Sequence, residues 1–173
     1  MRLYRAKVPE IARNVIEALC AGEDIEVTVE NREEAEKDLV AIMEEFLRRD
    51  WALREQVREE MSVLGVGYEQ YGKMRGKLAQ KWNHPTGDDV GRYLSRQFIE
   101  NFMISRFVEE VYTEDGYLWK KTLQLIESHD VDEGALREEA KGLMKNIKEG
   151  TVEYEMAFQR ALRTVKKKKG LIS

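Results

Sequence analysis

Cysteine occurs once, at Cys20, so no disulfide can staple the chain internally. Proline occurs only at Pro9 and Pro85, so little stands in the way of long helices. The histidines are His84 and His129, and neither has another histidine or a cysteine at ligand spacing. That argues against a zinc site. No glutamate has a histidine three residues later, and Glu127-Ser128-His129 misses that spacing by one residue. A carboxylate-bridged metal bundle is therefore excluded. Neither a Gly-x-x-x-x-Gly-Lys-Ser/Thr loop nor a Gly-x-Gly-x-x-Gly fingerprint is present, and Gly65-Val66-Gly67 lacks the rest of either. No apolar run approaches the roughly 18 residues of a membrane span. The opening Met1 to Lys7 has no apolar signal core behind it, because Glu10, Arg13 and Glu17 follow. With the single cysteine, this points to a cytoplasmic, reduced protein with no membrane partner.

What the chain has in quantity is charge. Charged residues make up 36% and apolar residues 42%, which fits long, solvent-washed helices. The net charge of −4 hides an asymmetry. Residues 1–50 hold 8 Lys/Arg against 13 Asp/Glu, whereas residues 141–173 hold 9 against 3. The acidic start and basic end either attract each other or face different partners.

The chain also repeats itself. Ala52-Leu53-Arg54-Glu55 recurs as Ala135-Leu136-Arg137-Glu138, an offset of 83 residues. The same offset carries Ile16 onto Ile99, Ile25 onto Val108, Glu26 onto Glu109 and Met61 onto Met144. This predicts two similar helical repeats, residues 1–83 and 88–173, joined around Asn83 to Gly87 and packed as one globular unit.

Periodicity fills in the elements. Val8, Ile11, Ala12, Val15, Ile16 and Leu19 lie on one helical face, with Gly22 as the stop. Ile25 to Glu30 alternates apolar and polar, which reads as a short strand. Asn31 with Glu34 resembles a helix cap, and Leu39, Ile42, Met43, Phe46 and Leu47 continue as a stripe. Near Asp50 the stripe resets to Leu53, Val57 and Met61, so Asp50 is a candidate second N-cap between two helices or at a kink. Tyr71, Met74, Leu78 and Trp82 form the next stripe, weakened by Gly72 and Gly76 at roughly 1 kcal/mol each.

The second copy repeats the order: a face of Leu94, Phe98, Ile99, Phe102 and Met103, then a strand within Phe107 to Tyr112. Two faces follow, Leu118 to Ile126 and Leu136 to Ile147, and Gly150-Thr151 caps a last helix that Gly170 stops. The fold expected is mostly α, each repeat carrying one short strand. Lone strands leave backbone groups unpaired, so Ile25–Val29 and Val108–Tyr112 are expected to pair antiparallel across a pseudo-twofold axis. Leu39, Ile42, Phe46, Phe98, Phe102 and Ile126 are expected in the core.

Met1-Arg2-Leu3-Tyr4 with Lys7, Pro9 and Ile11-Ala12, then Glu23-Asp24-Ile25-Glu26-Val27, form a consistent set with Glu149-Gly150-Thr151, Tyr154 and Lys168-Lys169-Gly170-Leu171. Read together, they resemble a bacterial family known as domain of unknown function 507, over the full chain. The resemblance implies a small, mostly helical cytoplasmic protein. It implies no activity and brings no functional residues.

Both histidines read as solvated or capping side chains, and Cys20 as a buried or half-buried structural thiol among Glu23, Asp24 and Glu26. Adjacent acids such as Glu44-Glu45 point about 100° apart on a helix and read as solvated faces. No catalytic residue, cofactor or metal is therefore assigned. One constellation remains: the last helix of each repeat is basic. The candidate nucleic-acid contacts are Lys73, Lys77, Lys81, Arg160, Arg163, Lys166, Lys167, Lys168 and Lys169, accompanied by Tyr68, Tyr71, Trp82, Tyr154 and Phe158. The competing explanation is helix-dipole complementation by lysines and core packing by the aromatics. Lys166 to Lys169 are expected to be exposed and frayed. The function expected is a non-enzymatic helical module that associates with itself or a protein partner. The alternative is a nucleic-acid- or ribosome-associated accessory protein.

Overall fold

The computed structural model describes residues 1–144 and 146–173. The chain opens with α1 (Val8–Ala21), β1 (Ile25–Glu26), α2 (Arg32–Leu64) and α3 (Tyr71–Lys81). It continues with α4 (Asp89–Ile104), β2 (Glu110–Val111), α5 (Asp115–Glu127), α6 (Glu133–Gly142) and α7 (Val152–Lys168). The protein is mostly helical. Among the described residues, no helix is long and apolar enough to cross a membrane.

The two strands pair antiparallel, with Ile25 opposite Val111 and Glu26 opposite Glu110. The expected pairing is therefore found, in shorter strands than the alternation predicts. Val29 to Asn31 turns into a 3₁₀ segment that leads straight into α2, which takes the end of the first run out of the ladder. Beside the sheet, Asp24 is buried and accepts hydrogen bonds from Thr113 and Lys121, tying the β1 corner to the second half.

Packing follows the sequence stripes. α1 lies along α2 and α4 along α5, and α1 also meets α5 while α2 meets α4. Their apolar faces close one shared core around Ile11, Leu19, Leu39, Met43, Leu94, Phe98, Leu118 and Ile126. Of the expected core residues, Leu39, Phe46, Phe98, Phe102 and Ile126 are buried, while Ile42 is half-buried at the margin.

Two helical hairpins complete the molecule, each with its own small apolar cluster. The second half of α2 pairs with α3 around Leu53, Val57, Leu78 and Ala79. α6 pairs with α7 around Leu136, Ala140, Phe158, Leu162 and Val165, with Tyr4 and Leu171 joining them. We call these hairpins the first and second arms.

Three details depart from the expectations. α2 runs unbroken through Asp50 for 33 residues, about 50 Å at the usual helical rise, so Asp50 is not an N-cap. Its carboxylate has partners elsewhere, described below. Asn31 does precede α2, but its side chain makes no capping bond. α6 ends at Gly142, and Leu143 is exposed rather than continuing a face toward Ile147.

Candidate interaction surface

The first arm is built by a reversal after α2. Gly65 takes φ of 64°, a left-handed conformation that costs a glycine least, and its amide bonds back to the last turn of α2. A short 3₁₀ segment over Tyr68–Gln70 then starts α3 back along α2. α3 turns Leu78 and Ala79 inward, with Tyr71, Met74 and Trp82 half-buried beside them. The opposite face is left to solvent.

Lys73, Lys77 and Lys81 run along one flank, between that face and the packed one, at i, i+4 and i+8. This spacing sets them in one line about 12 Å long. All three are exposed, and none makes an ion pair among the described residues. Like charges at i, i+4 destabilise a helix slightly. Gly72 and Gly76 add to that weakness and face open space, with nothing beyond their own helix backbone within 4 Å of where a Cβ would stand. α3 is thus held by its packing and its anchor, not by its own composition.

The anchor is Asp50. Its carboxylate meets Arg54 Nε at 2.9 Å, Arg75 Nη2 at 3.3 Å and His84 Nε2 at 3.1 Å. Burial pushes the Asp50 carboxyl up, but the His84 hydrogen bond and the Arg54 and Arg75 charges outweigh it and hold the carboxyl at about 2. His84 is not a solvated side chain, as the sequence led us to expect. It is 1% exposed, and its ring stacks on Phe46 with centroids 4.9 Å apart. Arg49 adds a 2.6 Å hydrogen bond to the Trp82 carbonyl at the end of α3. None of these partners lies within a helical turn or two of Asp50 except Arg54, which is why local pattern mistook it for a cap.

The far end of the arm carries apolar side chains in water. Val63 is 86% exposed, Leu64 65% and Tyr68 64%, with Val66 also exposed. Tyr68 stacks on Tyr71 at 5.4 Å between centroids. Between α2 and α3, Leu64, Val66, Met74 and Leu78 line a groove of about 410 Å³, together with Glu60, Gln70 and all three lysines. The structure therefore brings the first-arm basic residues together over an apolar floor.

Over residues 1–171 the chain matches the family described as protein of unknown function, DUF507. The chain belongs to that family. No curated protein matches it.

The second arm of this DUF507 protein treats its basic residues differently. Arg160, Arg163, Lys167 and Lys168 are exposed on α7 and none lines the first-arm groove. Lys169 pairs with Glu139 at 3.0 Å. Lys166 corrects the expectation of a frayed tail: it is 7% exposed, 3.7 Å from Glu133 and over the Tyr4 ring. Burial, reinforced by Arg2 nearby, lowers its pKa, while Glu133 opposes the shift. Tyr4 donates a hydrogen bond to the same Glu133, and burial and that bond raise the phenol well above its ordinary range. Past α7, Leu171 folds back into the arm's cluster. The aromatics divide: Phe158 is buried, Tyr71, Trp82 and Tyr154 are half-buried, and Tyr68 is displayed.

Cys20 is half-buried, and burial pushes its thiol up. His129 sits at the end of α5 with Nε2 3.0 Å from Asn14 Oδ1. Among the described residues, no group of three or more His, Cys, Asp or Glu side chains is placed to hold a metal ion.

Proposed function

We propose that this protein is a non-enzymatic helical module that binds a protein partner through its first arm. The observation behind this is the joint exposure of Val63, Leu64, Val66 and Tyr68 beside the line of Lys73, Lys77 and Lys81. Apolar patches in water rimmed by polar groups mark interaction surfaces. The glycines and like charges of α3 weaken the helix without serving the fold. A photo-crosslinking side chain at Val63, introduced in the native cell, tests the proposal. A discrete protein adduct that survives nuclease is expected. Adducts to RNA alone, or none, would sink it.

A second reading keeps one specific observation: three lysines in a row suit a phosphate backbone. In that case RNA affinity should fall roughly 20-fold between about 50 and 200 mM salt for three contacts on a single strand. A flat salt response removes the nucleic-acid- or ribosome-associated alternative.

We also propose that the halves are copies related by a pseudo-twofold axis. Support comes from the 83-residue sequence offset and from the order helix, strand, helical stretch and closing helix, in which the single α2 of the first half stands where α5 and α6 stand in the second. Superposing residues 8–82 on 91–165 decides it, and unmatched helix paths would end the idea. A reducing, cytoplasmic setting suits the single half-buried thiol of Cys20.

A further inference from the structure

We infer that the first-arm groove receives one amphipathic α-helix of a protein partner, with a row of acidic residues along the flank facing Lys73, Lys77 and Lys81. This rests on the interaction function proposed above and deepens it. The floor is apolar: Leu64, Val66, Met74 and Leu78 face a groove of about 410 Å³. A floor of that kind takes the apolar stripe of a helix, read as residues at i, i+3, i+4 and i+7. The lysine line spans about two turns of α3, the same repeat at which a partner helix presents acids at i, i+4 and i+8.

The opposite wall differs in sign. Glu60 lines the groove there and accepts a hydrogen bond from Gln56 at 3.3 Å. A helix lying between the walls therefore has its two flanks distinguished, acidic toward α3 and neutral or basic toward α2. Glu60 also counts against a nucleic-acid strand or an anionic lipid surface, because both carry uniform negative charge. A second copy docked arm to arm would bring three lysines and one glutamate to each side of an isologous contact, leaving positive charge in excess. Charge complementarity leaves the acidic amphipathic helix as the occupant.

The probe is a synthetic, helix-stabilised peptide with a leucine stripe, glutamates along one flank and lysines along the other. Its control carries glutamine in place of every glutamate, because exchanging the flanks would only reverse the direction in which the helix lies. Titration of the full chain, followed by methyl NMR of Leu64, Val66, Met74 and Leu78, locates the contact. We expect the glutamate-flanked peptide to bind about tenfold more tightly than its glutamine control, from three exposed charge pairs. Substituting Lys73→Gln, Lys77→Gln and Lys81→Gln together should erase that ratio without unfolding the protein. Equal affinity of the two peptides, no binding of either, or shifts outside the groove would overturn the inference. So would tighter binding of mixed-sequence RNA or phosphatidylglycerol vesicles at the same methyls, or self-association that uses them. A nuclease-resistant protein adduct at Val63 combined with any of these failures would leave the interaction function standing and this choice of partner wrong. Failure of the adduct as well would remove both.

Discussion

α3 and α7 both close a two-helix arm and both carry a basic surface, yet their lysines have opposite surroundings. On α3, Lys73, Lys77 and Lys81 reach solvent, and among the described residues no acid stands beside them at ion-pair distance. On α7, Lys166 is buried against Tyr4 and Glu133, and Lys169 is paired with Glu139. Of the first set only Lys81 sits in the last turn of its helix, where it complements the dipole, whereas Lys166 helps hold the second arm to Tyr4 and Lys169 ties α7 to α6. Basic residues of equal formal charge are thus left to solvent in one place and built into the packing in the other. The difference lies in what the rest of the chain delivers to them.

The largest expected effect tests the anchoring of the first arm. Phe46→Ala should lower unfolding stability by about 3–5 kcal/mol in urea titration, because it removes a buried ring that packs on His84 and near Tyr93. A loss below about 1 kcal/mol would show that the arm does not lean on this ring. Next comes Asp50→Asn, expected to cost about 2–3 kcal/mol by leaving Arg75 and His84 without their carboxylate.

The acid response of the wild type follows from the same residue. The Asp50 carboxyl is held at about 2, below its unfolded value, so its contribution is complete above roughly pH 4 and is lost as pH falls toward 2. It amounts to about 1–2 kcal/mol once screening by water is included. Denaturant midpoints of wild type and Asp50→Asn should therefore converge as the pH drops through that window.

The sharpest version of the comparison sets one lysine against another. Lys166→Ala should cost about 1 kcal/mol through its buried stem over Tyr4. Lys77→Ala should leave the thermal midpoint unchanged or slightly raised, since alanine relieves two like-charge neighbours on α3. Smallest of all, Lys167→Gln with Lys168→Gln should stay within about 0.5 kcal/mol of wild type. Equal effects at Lys77 and Lys166 would abolish the distinction between the arms.

The sequence made the helices and the strand pair legible because both are local signals. Ile25 to Val29 alternates, and a single strand needs a partner, so the match to the second half followed from unpaired backbone alone. The resemblance to the DUF507 family was legible in short strings spread along the chain, which the family match spans. The lysine line of α3 was also visible, since helical spacing fixes it once the helix is assumed. Asp50, His84 and Lys166 were misjudged for a shared reason. Each is polar in sequence and buried or half-buried in space, and each gains its environment from residues far along the chain. Periodicity reports which face a residue occupies, not which distant charge arrives to meet it. The groove was missed because its floor joins the end of α2 to α3 across a turn, and neither stripe alone contains it.

The small sheet has a consequence for the order in which the molecule assembles. Ile25 pairs with Val111, far downstream, so the clasp cannot close until most of the chain has left the ribosome. The first arm needs only the contiguous stretch from α2 to α3 and the His84 loop that follows. Local contacts form quickly, whereas joining distant segments must first overcome loop-closure entropy. A nascent chain ending near Gly87 therefore already holds the parts of its first arm and the α1–α2 pair, while β1 and the rest of the shared core wait for α4, α5 and β2. Synthesis itself gives the two arms different ages.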